Sequence, residues 1–186
     1  MAVERFPLSD PALPVDPEAV ARSLGSALSS RHRAPRKRTA SAGESDRSSW
    51  PLQDLATHLL AAAQTHRGTV STGPLEGRDL RTLAASARRA VDALPPGRTL
   101  VPVRLGLTLD HCMISTHGDV QIVGATVWSD RHLDLAAAAV GVALRFGSAV
   151  VAPLVDAYGE DDVELLTLDM CQQLNAIASD VGWPDV

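Results

Sequence analysis

Leu105-Gly106-Leu107-Thr108-Leu109-Asp110-His111-Cys112-Met113-Ile114-Ser115-Thr116-His117-Gly118-Asp119-Val120-Gln121-Ile122-Val123-Gly124-Ala125-Thr126-Val127-Trp128-Ser129-Asp130-Arg131-His132-Leu133-Asp134-Leu135-Ala136 is the stretch that decides how this chain is read. An apolar run leads into a polar loop. Residues 112–115 and 120–125 read as short strands, joined across His117-Gly118-Asp119, a turn sequence suited to a hairpin. Asp130-Arg131-His132-Leu133-Asp134 then opens a helix, with a carboxylate in its first turn where the helix dipole favours one.

Working outward, residues 99–105 form the first convincing strand, and Pro102 places it at an edge or a strand start because it cannot donate to a ladder. Three helices precede it. Asp16-Pro17-Glu18 is a helix start with an N-cap acid and a proline at the first position, and Val20, Leu24, Ala27 and Leu28 recur at helical spacing to about residue 33. A second helix opens after Pro51 with Leu52, Leu55 and Leu59 on one face. A third, over residues 77–94, buries Leu80, Leu83, Ala84, Ala87 and Val91 and stops at Pro95-Pro96-Gly97.

Downstream, helices are expected over residues 133–146, 149–158 and 161–178, with Gly147 and Gly159 as stops and Asp161 and Asp162 in an acidic first turn. The fold class is therefore mainly α with a small β-hairpin element. Residues 1–15 read as an extended, Pro-rich segment. Residues 34–50 read as a mobile basic and Ser-rich loop, and residues 179–186 as a tail.

Composition removes several function classes. Apolar residues make up 45% of the 186-residue chain but aromatics only 3%, so Ala, Val and Leu must fill one core. A net charge of −5 argues against nucleic acid or an anionic membrane as partner of the whole chain. No run of 18 apolar residues and no apolar leader stands in the sequence, so a membrane span and a secretory signal are not expected. Cys112 and Cys171 lie far apart with no paired spacing, which implies neither a disulfide framework nor a zinc knuckle and fits a cytoplasmic setting.

Asp110, His111, Cys112, His117, Asp130 and His132 are close in sequence, yet no metal-ligand spacing repeats among them. No Gly-x-Ser-x-Gly elbow supports serine chemistry, and Cys112 reads as a buried strand thiol. Trp50, Trp128 and Trp183 are too dispersed to build a stacking platform.

Asp130-Arg131-His132-Leu133-Asp134-Leu135-Ala136, the Phe146-Gly147 and Leu154-to-Gly159 segments that follow, and the Val20-to-His32 helix together resemble the C-terminal lobe of the aminoglycoside phosphotransferase family, which has a protein-kinase-like fold. The likeness spans about residues 16–178 and is specific only near 105–136 and 146–160. In that family a strand leads to a His-Gly-Asp loop, an Asn follows five residues after the Asp, and a hairpin and an Ile-Asp strand end precede an Asp-Arg-x-x-Asp-Leu-Ala helix. The first Asp accepts the substrate hydroxyl's proton, while the Asn and the second Asp hold metal ions.

The resemblance puts the catalytic Asp at Thr108, the Asn at Met113 and the metal-binding Asp at Val127. None of these supplies a carboxylate, so no catalytic residue and no metal or other cofactor is expected. The literal His117-Gly118-Asp119 is followed at the fifth position by Gly124, and Asp130 comes only eleven positions after Asp119; it reads as a hairpin tip. Asp110 is the other fallback carboxylate. The family's N-terminal lobe, with its Gly-rich turn and strand lysine, has no counterpart before the first helix, and the sole lysine, Lys37, falls in the basic loop.

The resemblance thus implies a degenerate, pseudokinase-like C-lobe with the N-lobe absent. Asp110, His111, Trp128 and Asp130 would line a groove that takes a partner protein or peptide, and Asp134 would be structural. A homo- or hetero-oligomer through the face the N-lobe would cover is implied, as is a role as a subunit of a biosynthetic or peptide-modifying complex. The alternative is an active phosphotransferase using Asp110 or Asp119 and completed by another chain.

Overall fold

A computed structural model describes residues 4–33, 49–95 and 97–184. The expected basic loop, with Lys37, lies outside the described residues except at its last two positions, as do the outermost residues of both tails. Six helices are described: α1 (Pro17–His32), α2 (Leu52–Thr65), α3 (Leu80–Asp92), α4 (His132–Phe146), α5 (Val151–Tyr158) and α6 (Leu165–Val181). Five short strands accompany them: β1 (Arg5–Pro7), β2 (Val101–Val103), β3 (Cys112–Ser115), β4 (Val120–Ile122) and β5 (Val127–Ser129). None of the described helices is long and apolar enough to cross a membrane.

Local chemistry accounts for the helix starts. Asp16 accepts a hydrogen bond from the Glu18 N–H beside Pro17, and Asp79 accepts from both the N–H and the hydroxyl of Thr82. The helices then sort into two cores. Leu55, Leu59, Leu83, Ala87, Leu174 and Ile177 join α2, α3 and α6, whereas Leu24, Leu28, Leu154 and Tyr158 join α1 and α5. α4 runs between them. Its Leu133 and Ala136 face the first core and its Leu135, Ala138 and Val142 the second, which is why this helix is apolar almost all round.

The β element is split in two. β3 and β4 form the antiparallel hairpin across His117-Gly118-Asp119, with Met113 opposite Gln121 and Ile114 opposite Val120. β2 pairs with β5, Val103 opposite Val127 and Pro102 opposite Trp128, so the proline does sit in a strand with a single partner.

Three expectations need correction. The N-terminal segment is not merely extended: Arg5–Pro7 adds a third strand to the hairpin, pairing Phe6 with Ile114, and Leu8 beyond it is fully buried. The second hairpin strand ends at Ile122 because Gly124 turns out at φ +105°, where the Arg104 guanidinium fills the space a side chain would need. The last helix begins at Leu165, not 161. Glu160–Asp162 forms a separate 3-10 turn, whose Asp162 is drawn to Arg33 at 3.2 Å and Arg131 at 2.8 Å rather than capping a helix.

Candidate functional site

The loop from β2 to β3 is the part of the fold on which several elements converge. Its first residue, Arg104, donates its backbone N–H to Oδ1 of Asp134 at 2.9 Å. Asp134 is fully buried in the first turn of α4, and its Oδ2 lies 3.4 Å from Nε2 of His32, whose Nδ1 is 2.8 Å from the Tyr158 hydroxyl. One carboxylate therefore ties the loop to α1, α4 and α5. Arg31 adds a second tie, reaching the Pro102 carbonyl at 3.4 Å and the Ile122 carbonyl at 3.3 Å, and burial depresses its pKa.

Next, Gly106 adopts φ +67°, and the Trp183 ring lies where a Cβ would project, its Nε1 at 2.9 Å. Only glycine fits both the left-handed backbone and the indole above it. Leu107 and Leu109 then turn into the core, while Thr108 between them stays exposed. Thr108 caps a 3-10 turn over Leu109–His111, and its N–H donates to His111 Nδ1 at 3.1 Å. Burial first, and Arg104 second, lower the His111 pKa. Burial pushes the Cys112 thiol up to about 12, which leaves no thiolate for nucleophilic work near neutral pH.

The residues picked out from sequence do not converge. Thr108 is on the loop, Met113 is half-buried in the three-stranded sheet and Val127 is buried in the two-stranded one. Gly106 suggests a register one residue earlier, in which it takes the place of the family's loop glycine. The Asp and Asn positions then become Leu107 and Cys112, both buried. Neither register supplies a carboxylate or an amide, and no acid stands between Asp119 and Asp130. The side chains present do not suit Mg²⁺, which requires hard oxygen ligands. Among the described residues no group of three or more His, Cys, Asp or Glu is placed to hold a metal ion.

Asp110 is exposed beside Thr108, with Oδ2 3.5 Å from its hydroxyl. Asp119 is exposed at the hairpin tip, where its carbonyl accepts from the Ser115 N–H at 2.9 Å. The length of β3, roughly 3.3 Å for each residue, separates the two acids. Asp130 is buried. It is 2% exposed, paired with Arg98, and accepts from the N–H and Nδ1 of His132 at 2.9 and 2.7 Å. Burial would raise its pKa, but the His132 and Arg98 hydrogen bonds outweigh that and hold it down to about 2. Trp128 is half-buried, and its carbonyl accepts from the Trp50 N–H at 2.8 Å.

An open groove does border the loop, on another side. It has a volume of about 300 Å³ and lies between α4, α6, the loop residues 106–109 and the turn at residues 72–75. Leu75, Leu144, Asn175 and Trp183 line it together with Thr108. Of these the sequence marked Thr108 as a site position and Trp183 only as one of three tryptophans too dispersed to stack. The missed signal is the second apolar stripe of α4: Ala137, Val140, Gly141 and Leu144 recur at helical spacing, and Leu144 is 66% exposed. A larger cavity of about 400 Å³ lies between residues 13–20 and the hairpin, lined by Phe6, Leu13 and Ile114.

No protein-family model matches the chain, and no curated protein sequence matches it. Solved structures do. An aminoglycoside-3'-phosphotransferase of type VIII superposes with a TM-score of 0.72 at 19% identity, covering 95% of this chain and 66% of that one. The fold is that of the aminoglycoside phosphotransferases. A macrolide 2'-phosphotransferase type I superposes with a TM-score of 0.60 at 18% identity, covering 92% of this chain and 57% of that one. The chain thus spans less than two thirds of either phosphotransferase. Within this fold, the loop at 104–111 and the hairpin at 112–122 are the features that the resemblance assigned to the reaction site, and the groove lies directly beside that loop.

Proposed function

We propose that these residues form a non-catalytic, pseudokinase-like binding module on a phosphotransferase fold, working in a reduced, cytoplasmic setting as a subunit of a biosynthetic or peptide-modifying complex. The groove beside the 104–111 loop is its site, and a partner protein or peptide is its occupant. One observation carries the reading. The loop keeps its supports, with Asp134 bonded to Arg104 and Trp183 seated on Gly106, while the positions that should bear the Asp and Asn hold Leu107 or Thr108 and Cys112 or Met113. Phosphoryl transfer depends on charge-stabilising groups and metal ions held at such positions.

Calorimetric titration of the full chain with ATP and Mg²⁺, followed by a phosphate-transfer assay, tests this. No saturable heat and no transfer are expected; binding accompanied by transfer overturns the reading. The second reading is an active phosphotransferase completed by another chain. Asp110 is the acid that favours it, because it sits beside Thr108 at the edge of the groove whereas Asp119 lies at the hairpin tip. On that reading an Asp110→Asn change abolishes transfer. Self-association is a further part of the proposal. Leu165 and Leu166, 74% and 88% exposed at the start of α6, offer an apolar contact, and a Leu166→Glu variant should lower the mass seen in sedimentation.

A further inference from the structure

The groove's own chemistry narrows its occupant, and this step rests on the binding reading above. None of its lining residues is charged. Its apolar wall includes Leu75 and the exposed Leu144. An ion carried into such a site would give up its hydration with no charged lining residue to replace it, since the one carboxylate at its edge, Asp110, is exposed to water outside it.

The polar atoms supply both acceptors and donors. Asn175 commits one of its two amide N–H groups to the Leu133 carbonyl at 3.1 Å, which leaves the other N–H and the acceptor oxygen for a ligand. The Ser179 hydroxyl commits its proton to the Asn175 carbonyl at 2.9 Å. The Thr108 hydroxyl donates its proton to Oδ2 of Asp110 at 3.5 Å and lies 3.1 Å from Nδ1 of His111, which already accepts the Thr108 N–H. Each of these three offers a ligand a lone pair. Beside them stand donors: the indole N–H of Trp183 above Gly106, the second Asn175 N–H, and the Gln172 amide and Thr72 hydroxyl, which line the same groove. A neutral group that brings an N–H to the acceptors and a C=O to the indole is an amide.

We infer that the groove binds an uncharged, apolar stretch of peptide chain, with a backbone amide set between the acceptors of Thr108, Asn175 and Ser179 and the Trp183 N–H, and apolar side chains on Leu75 and Leu144. The cavity is at the lower end of the size range typical of ligand sites, which suits one or two such side chains.

The probe is the blocked peptide acetyl-Ala-Leu-Leu-Ala-amide, titrated calorimetrically into the full chain, with spermidine as a polycation of similar length. The peptide should bind saturably and spermidine should not. Leu144→Asp places a carboxylate in the groove at a position already 66% exposed, so the fold should melt at an unchanged temperature while peptide affinity falls by at least about tenfold. Ser179→Asp, also at an exposed position, gives a second variant with the same expectation. Failure of the peptide to bind, equal binding to both variants, or binding of spermidine to the unaltered chain overturns the inference. A chain that takes neither probe and does not transfer phosphate refutes this inference alone; a chain that transfers phosphate refutes the non-catalytic reading and leaves the groove's preference to be judged by the peptide.

Discussion

The Cα of Gly25 in α1 lies against the carbonyl oxygen of Leu154 in α5, with so little space that a Cβ would overlap it. The neighbouring atoms are backbone, which cannot swing aside as a side-chain tip can. Gly25→Ala should therefore push α1 away from α5 and destabilise the fold by about 1–3 kcal/mol despite alanine's better helix propensity. Urea unfolding monitored by circular dichroism measures this, and an unchanged midpoint would mean the two helices are not in backbone contact.

Asp134→Ala should be costlier. It leaves the buried Arg104 N–H and His32 ring without their acceptor, a loss of about 2–4 kcal/mol. Asp134→Asn retains an oxygen for the Arg104 N–H and should lose less. If both variants unfold at the parental midpoint, the carboxylate does not brace the loop.

Asp130 sets the acid limit of stability. Its folded pKa is held down to about 2, below its ordinary value, so the stabilisation is complete above the unfolded pKa and is lost as pH falls through the folded one. Stability should be flat above about pH 5 and then fall by about 2 kcal/mol toward pH 2 on account of this group. In Asp130→Asn the drop over that window should shrink, which unfolding curves taken at pH 2, 3, 4 and 6 will show.

Both cysteines are fully buried and their thiols are raised by burial, Cys112 to about 12. Ellman's reagent should label neither in the native chain at pH 8 and both in denaturant. Rapid native labelling of Cys112 would mean that the loop opens to solvent.

Much of the helical frame was legible because periodicity and caps are local. Asp16-Pro17 acts through its own backbone neighbours, and Leu52, Leu55 and Leu59 mark a face whatever it packs against, although the Asp79 cap of α3 was passed over and that helix begun at 77. The hairpin was legible from one turn sequence. β1 and β5 were not legible as strands, since three residues carry too little alternation and each exists only through its partner, β3 or β2. The beginning of α6 was misplaced for a related reason: Asp162 answers to Arg33, 129 residues earlier, and no local rule includes that pairing. The groove draws on residues from 72 to 183, so spacing within the 105–136 stretch showed only its Thr108 edge. The one-residue ambiguity between Thr108 and Leu107 arose because the sign of Gly106's φ cannot be seen in a one-letter string.

The seat of Trp183 on Gly106 also makes the chain its own sensor. An indole pressed on the turn of a loop reports displacement of that loop as a change in emission, with no label attached. With Trp50 and Trp128 replaced by phenylalanine, a single fluorophore would follow the loop in real time. Occupation of the groove and loosening of the loop's anchorage would then be distinguishable by the direction in which the emission moves.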